Sequence, residues 1–229
     1  MTAQFFNLNS LLRKCIVIFL TLSCFASGGF KVSAQKTFTE GTLIYKIKIE
    51  VPAEHKTING NYTFTIKNSK IKKVLKLDNG FTDIVLLNCA AGTIYSLQNK
   101  NNKKYAIELN MADVKKRQEK FEGFTVSNIE RNQLSIAGYA VERAKLSYKD
   151  GTSTEVAFTK EWKPTNSIMF ERFPEAKFMP MHFSYSDENG ATMIFDAQEI
   201  APGPIENAVF RIPADYKMIS YQEYKELTR

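Results

Sequence analysis

Leu43-Ile-Tyr-Lys-Ile-Lys-Ile-Glu-Val51 alternates one residue at a time. Leu43, Tyr45, Ile47, Ile49 and Val51 fall on one side, with Lys46, Lys48 and Glu50 among those opposite. Successive side chains of an extended chain point to opposite faces, so this stretch predicts a strand with one buried and one wet side. Strands of that kind belong to antiparallel sheets.

The same period recurs along the chain. Tyr62, Phe64 and Ile66 alternate with Thr63, Thr65 and Lys67. Met179, Met181, Phe183 and Tyr185 alternate with His182 and Ser184, and Met193, Phe195 and Ala197 repeat the pattern. Asn59-Gly60, Asp78-Asn79-Gly80, Asp150-Gly151 and Asn189-Gly190 lie between strand-like runs, where residues tolerant of positive φ make tight hairpins. The expectation is a mainly β (α+β) meander of about ten strands between Gly41 and Arg211.

Two helices interrupt it. Asn110 can cap a helix from Met111 to Glu122, with Asp113 in the first turn and Gly123 as its exit. Met111, Val114, Phe121 and Phe124 form its apolar stripe, which predicts packing across the sheet. Ser220 and Glu223 spell a capping box for a short C-terminal helix through Leu227.

Residues 1–34 read as a signal peptide. Arg13 and Lys14 precede the apolar run Cys15–Ala26, whose helical length of about 18 Å is too short for a bilayer core of about 30 Å. Val32-Ser33-Ala34 is the expected cleavage site, leaving 35–229 as one β-rich domain. Two alternatives stand beside this reading: a retained membrane anchor, and lipidation at Cys24, where Thr21 occupies the place of the usual Leu. Cleavage removes three basic residues and no acid, so the net charge falls from +7 to about +4. Cys89 is then the lone cysteine, in the apolar context Val85-Leu-Leu-Asn-Cys-Ala-Ala91, and is expected to be a buried structural thiol without a disulfide. Lys67, Lys70, Lys72, Lys73 and Lys76 form a basic concentration, and alternation puts several of them on one strand face, expected to be a solvated face, with a phosphate or lipid headgroup site as the alternative. An exported chain with scattered charge of this kind has no expected nucleic-acid partner.

Residues able to carry chemistry are sparse. His55 and His182 are isolated, with none of the HxxxH, HExxH or CxxC spacings that specify zinc. No Gly-x-Ser-x-Gly elbow and no glycine-rich phosphate loop occurs. Asp187-Glu188 falls in a hairpin turn, and Asp113, Glu119 and Glu122 fall on the helix surface. No catalytic residue, metal site or cofactor is expected. The apolar face is the remaining candidate: Tyr45, Phe64, Phe158, Met179, Met181, Phe183 and Phe195 either line a ligand pocket or fill a closed core.

Three motifs carry a family resemblance: Gly41-Thr-Leu-Ile-Tyr-Lys-Ile47, Ile136-Ala-Gly-Tyr-Ala-Val-Glu-Arg-Ala144 and Phe210-Arg-Ile-Pro-Ala-Asp-Tyr-Lys217. In order and spacing they resemble domain-of-unknown-function family 4412, allied to the LolA-like carriers of the bacterial envelope. The resemblance covers about Gly41 to Glu223. It implies a curved antiparallel half-barrel with helices over its concave side. Family members often carry Cys where this chain has Val141, so no thiol role carries over. Together these readings lead to an exported periplasmic or outer-membrane-facing protein with no transmembrane span after processing. It would bind an acyl chain, lipid or lipoprotein on its apolar face. The rival is a structural domain contacting other envelope proteins, and the third reading is an exported hydrolase.

Overall fold

The computed structural model describes residues 34–187 and 189–227. The signal-peptide reading of 1–34 and the lipidation reading at Cys24 therefore lie outside the described residues, except for Ala34. One compact unit begins at Gln35.

The strands are β1 (Lys36–Phe38), β2 (Glu40–Val51), β3 (Lys56–Lys67), β4 (Lys70–Leu77), β5 (Thr82–Asn88), β6 (Thr93–Lys100) and β7 (Lys103–Leu109). Helix α1 (Met111–Glu119) follows. Then come β8 (Thr125–Ile136), β9 (Tyr139–Ser147), β10 (Ser153–Thr159), β11 (Trp162–Pro164), β12 (Met179–Ser186), β13 (Thr192–Pro202), β14 (Lys217–Ser220) and helix α2 (Tyr221–Leu227). Twelve strands form one open curved sheet in the order β14-β7-β6-β5-β4-β3-β2-β13-β12-β10-β9-β8. All its pairings are antiparallel except β14 on β7. β1 and β11 make a separate parallel pair, closed by an edge-to-face contact of Phe38 and Trp162 at 5.6 Å.

Alternation does what the sequence required. Leu43, Tyr45 and Ile47 on β2 are buried, as are Phe64 and Ile66 on β3, while Lys46 and Lys48 are exposed. Directly paired residues share a face, which gives the inner row Ile200–Leu43–Phe64–Lys73–Val85–Ser96–Ile107 across seven strands. The turn signals at Asp78–Gly80, Asp150–Gly151 and Asn189–Gly190 each join paired neighbours. The Asn110 side chain accepts from the Ala112 amide at 2.9 Å to start α1. Ser220 and Glu223 exchange reciprocal bonds of 3.1 and 2.7 Å at the start of α2.

Three expectations are corrected. Asn59-Gly60 is no turn: it lies inside β3, and the β2–β3 connection is made at Pro52–Glu54, with His55 left-handed at φ 49°. Glycine is required at 60 by close approach. A Cβ there would stand 2.1 Å from the Lys76 carbonyl oxygen of the neighbouring strand. Second, Lys73 leaves the wet face, since β4 places it between Ile71 and Leu75 in the frame that points inward. Third, helices do not make the main cover of the inner face. α1 contributes Met111 and Val114, and the turn after it contributes Phe121, whereas residues 165–178 bring Ile168, Met169, Phe170, Phe173 and Phe178. α2 lies against β7 and β14, with Tyr105 and Tyr224 at 6.4 Å.

Candidate functional site

The residues that could act together meet where the 165–178 segment crosses the aromatic centre of the sheet. Tyr45, fully buried, sits at its middle, with ring contacts to Phe64, Phe170, Phe183 and Phe195 at 5.8 to 6.4 Å. Its hydroxyl donates to the Pro180 carbonyl at 2.6 Å, which satisfies the one polar atom that burial would otherwise strand. The same burial raises its pKa well above the usual tyrosine value. Phe183 and Phe195 are direct cross-strand partners and stack at 4.5 Å with 8° between their planes. Phe173 meets Phe183 edge-on at 5.0 Å.

All seven candidate residues, Tyr45, Phe64, Phe158, Met179, Met181, Phe183 and Phe195, are buried in one core cluster. They divide by what they touch. Phe64, Phe183 and Phe195 line a half-open pocket of about 80 Å³, roofed by Met169, Phe170 and Phe173. Tyr45, Phe158, Met179 and Met181 do not line it; Phe158 packs on Phe178 at 4.5 Å instead. The aromatic face is therefore mostly filled, and the space left matches roughly two to three water molecules.

The pocket also holds residues that had not been assigned to it. Lys73 lines it from β4, Tyr62 from β3, Tyr185 from β12, and Glu171 and Arg172 from the covering segment. The Lys73 ammonium donates to the Ile168 carbonyl at 3.1 Å and lies 5.7 Å from the centre of the Phe64 ring. Burial pushes its pKa down to about 8, against the opposing pull of Glu171 and Cys89. Desolvation likewise raises the Tyr62 and Tyr185 phenols. The Arg172 guanidinium lies 4.7 Å from the Phe121 ring centre and 4.0 Å from that of Tyr185, and its carbonyl accepts from the Tyr148 hydroxyl at 3.0 Å. Glu171 approaches Arg117 of α1 at 3.9 Å in an exposed pair. Period-two alternation could have found Lys73, because Ile71, Lys73, Leu75 and Leu77 share one frame. Residues 171 and 172 carry no periodic signal in the sequence.

Outside the pocket, a polar cleft shares Glu171, Arg172 and Tyr185 with it. Two of the acids bordering the cleft serve their own hairpins: Asp150 accepts from Thr152, and Asp187 accepts from the Asn189 and Ala191 amides. His182 on β12 pairs with Asp196 of β13 at 2.5 Å on the outer face, both half exposed. Cys89 is free and half-buried against the main core, with its thiol pKa raised by burial. Among the described residues no cluster of His, Cys, Asp and Glu has metal-binding geometry, and no helix is long and apolar enough to cross a membrane.

No family model and no curated protein matches the chain, so membership of the family suggested by the three motifs is not established. Among solved structures, the chain is similar to PNGF-II, with a TM-score of 0.43 and 14% identity over 81% of this chain. It spans only a third of that protein's length, 33%. It is also similar to a domain from Vibrio parahaemolyticus described as an outer membrane lipoprotein-sorting protein. There the TM-score is 0.38 and the identity 8%, over 77% of this chain and 91% of the other.

Proposed function

We propose that this is an exported, non-catalytic binding domain that receives an apolar group, an acyl chain or the lipid of a lipoprotein, in the pocket between Phe64, Phe183 and Phe195. What carries the reading is that pocket itself: a half-open gap walled by buried aromatics from β3, β13 and β12 and roofed by a segment with little regular structure. At about 80 Å³ it admits only the end of a chain. A longer ligand requires Met169, Phe170 and Phe173 to move. The second reading, an envelope interaction domain with a packed core, is favoured by the burial of all seven candidate residues.

Native mass spectrometry of protein recovered from the exported fraction tests the first reading. The expected result is a polypeptide beginning at Gln35 with co-purified apolar ligand, and thermal melts raised by added straight-chain alcohols. Phe183→Ala changes the alcohol response because Phe183 walls the pocket, and Phe158→Ala leaves it unaltered. Ligand-free protein whose melt no alcohol shifts would establish the packed-core reading instead.

A further inference from the structure

We propose that Lys73 anchors the head group of the ligand, and that the ligand is a monoanionic amphiphile, a carboxylate carried on a short apolar chain. The inference rests on the pocket reading above and names the class of molecule the pocket takes.

Lys73 is unlike the lysines beside it in β4. Lys70, Lys72 and Lys76 lie in the opposite frame, whereas Lys73 continues the inner row between Phe64 and Val85. An ammonium has three N–H donors. One goes to the Ile168 carbonyl, and no ion pair within 4.0 Å involves Lys73 among the described residues. Glu171, the acid lining the same pocket, is exposed and turned toward Arg117. Asp83, further along the inner face of β5, accepts from Gln98 at 2.9 Å. A part-buried cation with a single neutral acceptor is partly desolvated without a counter-charge, and an anion delivered by a ligand offsets that penalty. The Arg172 guanidinium lies against the Phe121 and Tyr185 rings, whereas the Lys73 ammonium lies over Phe64, one of the three phenylalanines that wall the pocket.

The pocket constrains the rest of the ligand. Phe64, Phe183 and Phe195 offer no polar partner, so the portion beyond the carboxylate is apolar. The small volume selects a short chain end. Two cations, Lys73 and Arg172, and one acid, Glu171, line the pocket, and their net charge of +1 matches one negative charge better than the two of a phosphate monoester.

Calorimetric titration of hexanoate and hexan-1-ol, which share a chain length, tests the assignment. Well below pH 8 hexanoate is expected to bind about ten- to a hundredfold more tightly than the alcohol, the value of one charge-assisted hydrogen bond. Lys73→Met abolishes that preference and leaves the alcohol affinity within about threefold, and Lys73→Arg restores it. The preference also declines as pH rises through about 8, where Lys73 loses its charge. Tyr62, Glu171, Arg172 and Tyr185 line the pocket with the ammonium, Glu171 and Cys89 act on its charge, and Asp83 and Lys115 act in turn on Tyr62 and Cys89. The pH profile of Lys73→Met, which keeps all of these groups, assigns the change. Equal affinities in the wild type, or a preference that survives in Lys73→Met, would overturn the anchor and leave the pocket reading standing. Failure of both probes to bind the wild type would overturn both. Circular dichroism of each variant separates lost binding from lost folding.

Discussion

The sheet carries one strap on each face, and the two are held by different physics. The inner strap, residues 165–178, drops Phe170, Phe173 and Phe178 into the main aromatic core. The outer strap, residues 203–216, lays Ile212 and Tyr216 on a small cluster of Leu86, Leu97 and Ala106. Polar contacts tie the outer strap at both ends. Near its start Glu40 accepts from the Ile205 amide at 2.8 Å and from Lys67 at 3.0 Å, and near its end Lys104 meets Asp215 at 2.6 Å. The Ile205 amide, with Lys67 beside it, holds the Glu40 carboxyl below its usual pKa. Apolar burial is strong and indifferent to salt, while exposed ion pairs are weak and screened. The inner strap therefore belongs to the stability of the whole domain, and the outer strap is the part that can loosen separately.

Removing an anchor from each side should expose that asymmetry. The largest loss is expected from Phe173→Ala, at about 3–5 kcal/mol in denaturant melts, because a buried ring in contact with Phe170, Phe178 and Phe183 is replaced by a cavity. A loss below about 1 kcal/mol would mean that the strap is loosely seated and the contrast is wrong.

Lys73→Met should act in the opposite direction. The folded-state pKa of about 8 lies below the unfolded value near 10.5, so burying the charge opposes folding. The full cost is present below pH 8, on the order of 2–3 kcal/mol, and it fades as pH rises toward 10.5. Wild type should therefore gain stability across that window while Lys73→Met does not. Melts of both proteins at neutral and alkaline pH check the sign. A constant difference between them would mean that the ammonium is not desolvated. A residue that lowers stability in this way fits a site kept for binding.

The smallest effect is expected on the outer side. Ile212→Ala should cost about 1–2 kcal/mol, since the side chain is only half-buried. Hydrogen exchange should rise in β14 and around 203–216 and stay unchanged in β2 and β3. Global destabilisation equal to that of Phe173→Ala would make the two straps one cooperative unit and remove the contrast.

Much of the framework was legible in the chain because its causes are local. Alternation set which face of β2, β3, β12 and β13 is buried, Asn110 and the Ser220–Glu223 pair set the helix starts, and three Gly-containing turns set hairpins. Asn59-Gly60 misled because the same dipeptide that permits a tight turn also permits close strand approach. Only the position of β4 against β3 distinguishes the two. Lys73 was grouped with its neighbours by charge, although its frame placed it with Ile71 and Leu75. The straps were not legible, because aperiodic segments carry no signal for the face they will cover.

What the sequence determined by itself is the alternating, antiparallel character of the sheet and the apolar identity of its inner face, since both follow from side-chain period along one strand. The tertiary structure decided whether that face is open or filled. Residues 165–178 fold back over β2 and β3, more than 100 positions away in sequence, where Phe170 packs against Tyr45 and Phe64. Packing density depends on which side chains arrive from elsewhere, and no strand encodes what will be placed against it.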